Sequence, residues 1–323
     1  MKRPLIGSLV AAVIAIGTAG PAQAIPYTVG NVFASVGAGL VKEFTPAGVL
    51  VQTLNTTTGS SETTGSAFDS AGNFFVTGFG TSTLSKFNNS GGLVSANFIA
   101  GNNPSNNESI VFDGAGNFFV GGASSTSIKK FNSAGTLLNS FAVATGSRGT
   151  DWIDLAADQK TLFYTSESGL IKRFDTATSM QLADFANVGG VSFALRILSD
   201  GGVLVAHTSN VLRLNSAGII TQTYTLAGST TLFALNLDPD GTSFWTGNID
   251  STGKLFHVRL SDGFVLGSFN TVFPGGNDLA GLSIFGEITQ GNPPPTGTPE
   301  PESLALLALG AIGLALVRRR RKA

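Results

Sequence analysis

No cysteine occurs among the 323 residues, and only two histidines do. The missing thiols exclude disulfides, thiolate nucleophiles and every metal site that needs a sulfur ligand. Charge is scarce too: Asp, Glu, Lys and Arg make up 12% of the chain, about half the usual share. There is no Gly-x-Ser-x-Gly element, so serine-hydrolase chemistry of that kind has no support. The glycines follow turns and form no phosphate-binding loop. What is abundant is apolar: 42% of residues are hydrophobic, 24 of them Phe, in short runs that argue for a packed fold and against disorder. The length supports one large domain or two modest ones.

The ends read as addresses. Lys2 and Arg3, an apolar stretch from Leu5 to Ile16, and Ala22-Gln23-Ala24 have the order of a secretory signal over 1–24, too short in its apolar part for a permanent membrane helix. At the other end a Gly/Pro linker (291–298) leads to Pro299-Glu300-Pro301, an apolar stretch from Leu304 to Val317, and the cations Arg318, Arg319, Arg320, Arg321 and Lys322. The apolar stretch is a weak stop-transfer helix whose cations stay on the cytoplasmic side. This order, at this position, resembles the PEP-CTERM sorting signal over 299–323. The resemblance implies a transient inner-membrane anchor, recognition by an exosortase (a membrane Cys protease), and a cell-surface or extracellular destination. Without these two ends the body keeps 12 cations against 18 anions. An acidic body with no basic cluster excludes nucleic acid as a partner.

The body, 25–290, is a repeat. A turn followed by an apolar run recurs at Asp69-Ser-Ala-Gly72-Asn73-Phe74-Phe75 and Asp113-Gly-Ala-Gly116-Asn117-Phe118-Phe119, with weaker copies beginning at Asp158, Asp200 and Asp240. A cation, an apolar residue and a polar turn ending in Gly recur around Phe44, Phe87, Phe131, Phe174, Leu214 and Leu260. Six copies near a 43-residue period match four-stranded propeller blades. In the third unit the strands are expected at 109–113, 117–121, 128–132 and 137–141. The Asp-x-x-Gly elements suit tight hairpins. They carry too few carboxylates for calcium loops. The first unit lacks an innermost strand before Val32, and 279–287 supplies a spare one. The expected fold is therefore all-β, a six-bladed β-propeller closed by a C-terminal strand in the N-terminal blade. The pattern resembles the NHL/SMP-30 broad group, which includes lactonases, streptogramin lyases and non-enzymatic scaffolds. Fold does not settle function.

Counting four residues back from the central apolar position of each innermost strand gives the channel mouth: Thr64, Glu108, Asp151, Val191, Thr231 and Asp278. Glu108, Asp151 and Asp278 are candidate metal ligands, for an oxygen-ligated ion such as Ca²⁺. The loops between second and third strands add Glu167, His207 and Asp250 to the mouth. The other reading makes these acids solvated loop residues or local caps. Arg148 and Arg196 either pair with mouth carboxylates or are solvated. The resemblance implies an inward Glu, Asn and Asp set for metal-dependent lactonases; Glu108 matches the first and no residue is assigned to the others. It implies a His base with a metal for the lyases, a role open only to His207. Trp152 and Trp245 read as core residues, and His257 as a third-strand residue, either packed or edge-exposed. The expectation is an exported, non-enzymatic module that binds exopolysaccharide or another surface component. The alternative is a metal-dependent lactonase or lyase at the mouth.

Overall fold

The computed structural model describes residues 25–271 and 279–291. The expected signal sequence, the linker beyond Gly291, the sorting segment and Asp278 lie outside these residues. Among the described residues there is no helix long and apolar enough to cross a membrane.

Six sheets make up the structure, and each begins with its innermost strand: Gly281–Ile284, Thr63–Phe68, Asn107–Phe112, Ile153–Leu155, Ser192–Ile197 and Leu232–Leu237. Successive strands are antiparallel within each sheet. The fourth sheet departs from the pattern, because its outer strand is split into Met180–Gln181 and Ala186–Asn187. The first sheet takes its inner strand from the far end of the chain, with Ile284 opposite Val32 and Gly281 opposite Ser35. This pairing removes the open edge that Val32–Ser35 would otherwise present. Gly281 is required there, since a Cβ would lie 2.1 Å from the carbonyl oxygen of Thr64 in the next blade.

The recurring turn works as its residues dictate. Asp69 Oδ1 accepts from the amides of Ala71 and Asn73 at 3.0 and 2.9 Å, and Asp113 repeats the arrangement with Ala115 and Asn117. Gly72 and Gly116 take φ of +77° and +81°, which a side chain would oppose. Phe side chains fill the space between blades: Phe118 stacks on Phe131 at 5.3 Å, meets Phe112 within its own blade and reaches Phe75 of the preceding one. Trp152 and Trp245 are buried, as expected of core residues.

One register differs from expectation. Five third strands pass into their turns through a bulge next to the anchor, at Phe44, Phe87, Phe131, Leu214 and, in the last blade, Val258 rather than Leu260. Val258 is fully buried, and its use brings the last spacing into line with the others.

Because the strands alternate in direction, the first-to-second and third-to-fourth turns lie on one face of the disc. Both ends of the described body lie there too. The amide of Gly30 donates to Phe285 O at 2.9 Å, that of Tyr27 to Asn89 O at 3.3 Å, and Gln159 Nε2 to Gln290 O at 3.2 Å. The channel mouth opens on the opposite face.

Candidate functional site

Strand pairing fixes which residues ring the mouth. In every blade the last residue of the inner strand faces the first or second residue of the second strand: Ile284 and Val32, Phe68 and Phe74, Phe112 and Phe118, Leu155 and Leu162, Ile197 and Val203, Leu237 and Phe244. Four residues back from these lie Ala280, Thr64, Glu108, Asp151, Phe193 and Phe233. Phe193 and Phe233 thus occupy the positions that the sequence count gave to Val191 and Thr231. Ala280 occupies the one given to Asp278. The central apolar residues of three inner strands are two places later than the count assumed. Counting back from the residue before each hairpin turn locates all six correctly.

A bulge interrupts the pairing at this level in four blades, with Glu108 the extra residue between Asn107 and Ser109, and Phe233 between Leu232 and Ala234. Bulges of this kind re-aim side chains. Here Thr64, Glu108, Phe193, Phe233 and Ala280 line one cavity of about 270 Å³, joined by Glu62, Phe79, Arg148, Glu167 and Ile249. One side of the mouth is acidic and the other aromatic.

Glu108 and Asp151 are buried at the acidic side. No donor of the described residues reaches Glu108 Oε2 or either carboxylate oxygen of Asp151. Burial and the neighbouring Asp151 carboxylate hold the Glu108 pKa well above the usual range, against the attraction of Arg148. Burial, then the charge of Glu167, push Asp151 up to about 7. Both carboxyls of the pair are therefore pushed towards the protonated form, and they titrate as a coupled unit. Arg148 pairs with Glu167 at 2.8 Å and lies 5.5 Å from the Phe79 ring centre, which neutralises Glu167 and leaves the buried pair as the unmatched charge.

The other mouth candidates hold structural bonds. Thr64 Oγ1 lies in hydrogen-bond contact with Thr77 Oγ1 at 2.8 Å and donates to Asn107 O of the next blade at 3.0 Å. Asp250 caps its own turn, accepting from Thr252 N, Gly253 N and Thr230 Oγ1. His207 is not among the lining residues of the cavity; its Nε2 lies 3.0 Å from Gly189 O. Arg196 is buried at the opposite end of the channel, donating to Asn236 Oδ1 and to Leu195 O. Two carboxylates beside a guanidinium supply at most four of the six to eight oxygens that calcium takes, so an ion held there would need carbonyl or water oxygens besides. Among the described residues no three His, Asp or Glu side chains gather to hold an ion. Asp278, the third ligand expected from sequence, lies outside them.

Comparison with known proteins adds a sorting motif and a fold. No curated protein matches the sequence. A chain in the crystal structure of a nidogen/laminin complex is 15% identical, with TM-score 0.64, over 79% of this chain and 98% of that one. A protein of unknown function from Bacteroides caccae is 14% identical, with TM-score 0.61, over the same shares. A streptogramin B lyase is 15% identical, with TM-score 0.55, over 73% of this chain and 78% of that one. Likeness at this identity shows the fold alone. Residues 298–321 match the PEP-CTERM protein-sorting motif, which implies exosortase-processed export. The chain is a six-bladed β-propeller bearing a PEP-CTERM sorting motif.

Proposed function

We propose that the processed protein is a non-enzymatic binding module, at the cell surface or released, whose mouth takes a small cationic group carried by a surface component. An amino sugar within an exopolysaccharide is the simplest such group. The observation that carries this reading is the Glu108–Asp151 pair: buried, without protein donors, and opening through Glu108 into the cavity. An ammonium ion supplies the missing donors and the missing positive charge in one group. Phe193 and Phe233 line the same cavity and add aromatic surface for the ligand. Two acids and an aromatic wall on a rigid disc suit recognition without chemistry. Calorimetric titration with glucosamine, and with N-acetylglucosamine as the neutral control, tests it. Saturable binding of the amine alone, lost in Glu108→Gln, supports the reading; equal binding of both sugars, or of neither, rejects it.

A calcium-dependent lactonase or lyase at the same mouth is the second reading, and it rests on the same two unpartnered carboxylates. Thermal unfolding with Ca²⁺ and with EDTA separates it from the first, because a ligand of the native state must raise the midpoint. An unchanged midpoint in both conditions removes this reading.

A further inference from the structure

The apolar side chains left on the surface are not scattered. Each outer strand starts, just after its turn, with exposed apolar residues and then turns polar. One such residue per blade is more than half exposed: Val49, Val94, Leu138, Met180, Ile219 and Phe264. These starts all lie at the turn-bearing face, opposite the mouth, since each follows a third-to-fourth strand turn. Ile25 and Val29, in the segment that enters the first blade at that same face, are exposed as well. Every large exposed apolar residue among the described ones belongs to this face or its rim, and none of the described residues at the mouth face is one. A monomer that exposes single apolar side chains at random has no reason to sort them this way.

The chain leaves the body at that face. Gly291 lies over the inner strands of the third and fourth blades, close to Phe112 O and the Leu155 side chain. Twelve residues, 292–303, then separate it from the apolar stretch that begins at Leu304. Even fully extended they span only about 40 Å. A precursor whose tail is held in a bilayer therefore keeps the point where the chain leaves this face within about 40 Å of the lipid, at high local concentration.

From these two observations we propose that the turn-bearing face of the propeller seats on the lipid surface that holds the tail, through its ring of exposed apolar residues, and presents the acidic mouth away from the membrane. The contact is made by the precursor. Removal of the tail ends the tethering, and the ring alone then holds the disc weakly.

The absence of cysteine makes the test direct. Single-cysteine variants Val94→Cys, Leu138→Cys and Ile219→Cys report on three separate blades, and Thr81→Cys reports on the mouth face. Each full-length variant is labelled with an environment-sensitive dye and reconstituted into vesicles of phosphatidylethanolamine with a minority of phosphatidylglycerol. The expected result is blue-shifted emission and quenching by spin-labelled lipid at all three rim positions, with neither at Thr81. Rim labels no more quenched than the Thr81 label overturn the proposal. So does quenching in one blade only, which means an edge contact. A blue shift that scales with protein density but not with lipid quencher means self-association, and overturns it too. All four sites are exposed, so circular dichroism is expected to show native folding in each variant.

Discussion

Asp151 illustrates how burial beside a second carboxylate can raise a pKa and cost stability at the same time. Its carboxyl is held at about 7 by burial and by Glu167, whereas in an unfolded chain it titrates near 4. Between those values the native state binds more protons than the unfolded one, so stability falls as pH rises through that window and is level above it. Asp151→Asn removes the penalty. The variant is expected to melt at a higher temperature than the wild type at pH 8, by roughly 5 °C or more, and at nearly the same temperature at pH 4. Thermal unfolding at the two values checks this; a lower midpoint for Asp151→Asn at pH 8 refutes it. The test is independent of any ligand.

His257 shows a different logic at the same scale. Across the second and third strands, Phe75 faces Lys86, Phe119 faces Lys130, Phe163 faces Arg173 and Trp245 faces His257. Lys130 lies over the Phe119 ring and reaches the turn acid Asp113 at 2.9 Å. In the last blade His257 takes that place, stacked on Trp245 at 4.4 Å and bonded to Asp238. Burial raises the Asp238 pKa, but hydrogen bonds from His257, Ser243 and Trp245 outweigh it and hold the carboxyl below its ordinary range. That contribution is present above the unfolded value and is lost as pH falls through the folded one. His257→Ala is expected to cost about 1–2 kcal/mol at pH 6, with the gap narrowing below pH ~4, and His257→Lys to cost less. Equal losses for both variants in denaturant titrations mean that the slot has no preference for a cation.

At the level of elements, the hairpin turns were the most legible feature of the sequence. Asp, Gly and Asn have few other reasons to recur at that spacing, and the closing strand followed because one blade was a strand short. The mouth was only half legible. Glu108, Asp151 and Thr64 come from inner strands whose apolar runs stop at the turn, so a count from the apolar centre and a count from the turn agree. In the runs around Leu195, Leu235 and Leu282 several apolar residues compete as the centre, and the slip of two hid Phe193 and Phe233. Bulges added to the ambiguity, since an extra residue leaves no trace in composition. The closing strand also gives the sharpest element-scale prediction. Gly281→Ala places a methyl against the Thr64 backbone, which cannot rotate away, so it is expected to destabilise by about 1–3 kcal/mol. Ser283→Ala removes only the hydroxyl contact with Ser66 at 2.9 Å and is expected to cost less. The reverse order in urea unfolding argues against a tightly closed ring.

For the whole molecule, closure and export meet at one point in the chain. The last strand of the ring ends at Ile284, and the following residues still belong to the body: Phe285 packs on Tyr27 and Phe68, and Gln290 accepts from Gln159. The sorting motif starts at residue 298, beyond every contact described. Processing anywhere within the motif would thus leave every described blade intact. A chain ending at Thr298 is expected to melt within about 2 °C of the full-length protein, a change below ~1 kcal/mol for a domain of this size. A chain ending at Ala280 loses the inner strand of the first sheet and leaves Val32–Ser35 as an open apolar edge. It is expected to aggregate or to lose its cooperative transition. Scanning calorimetry of the two truncations distinguishes a ring completed before the motif from one that needs the tail. Equal, cooperative melting of both shows that 281–291 adds nothing to closure, while loss of the transition in the longer one shows that the tail is part of the fold.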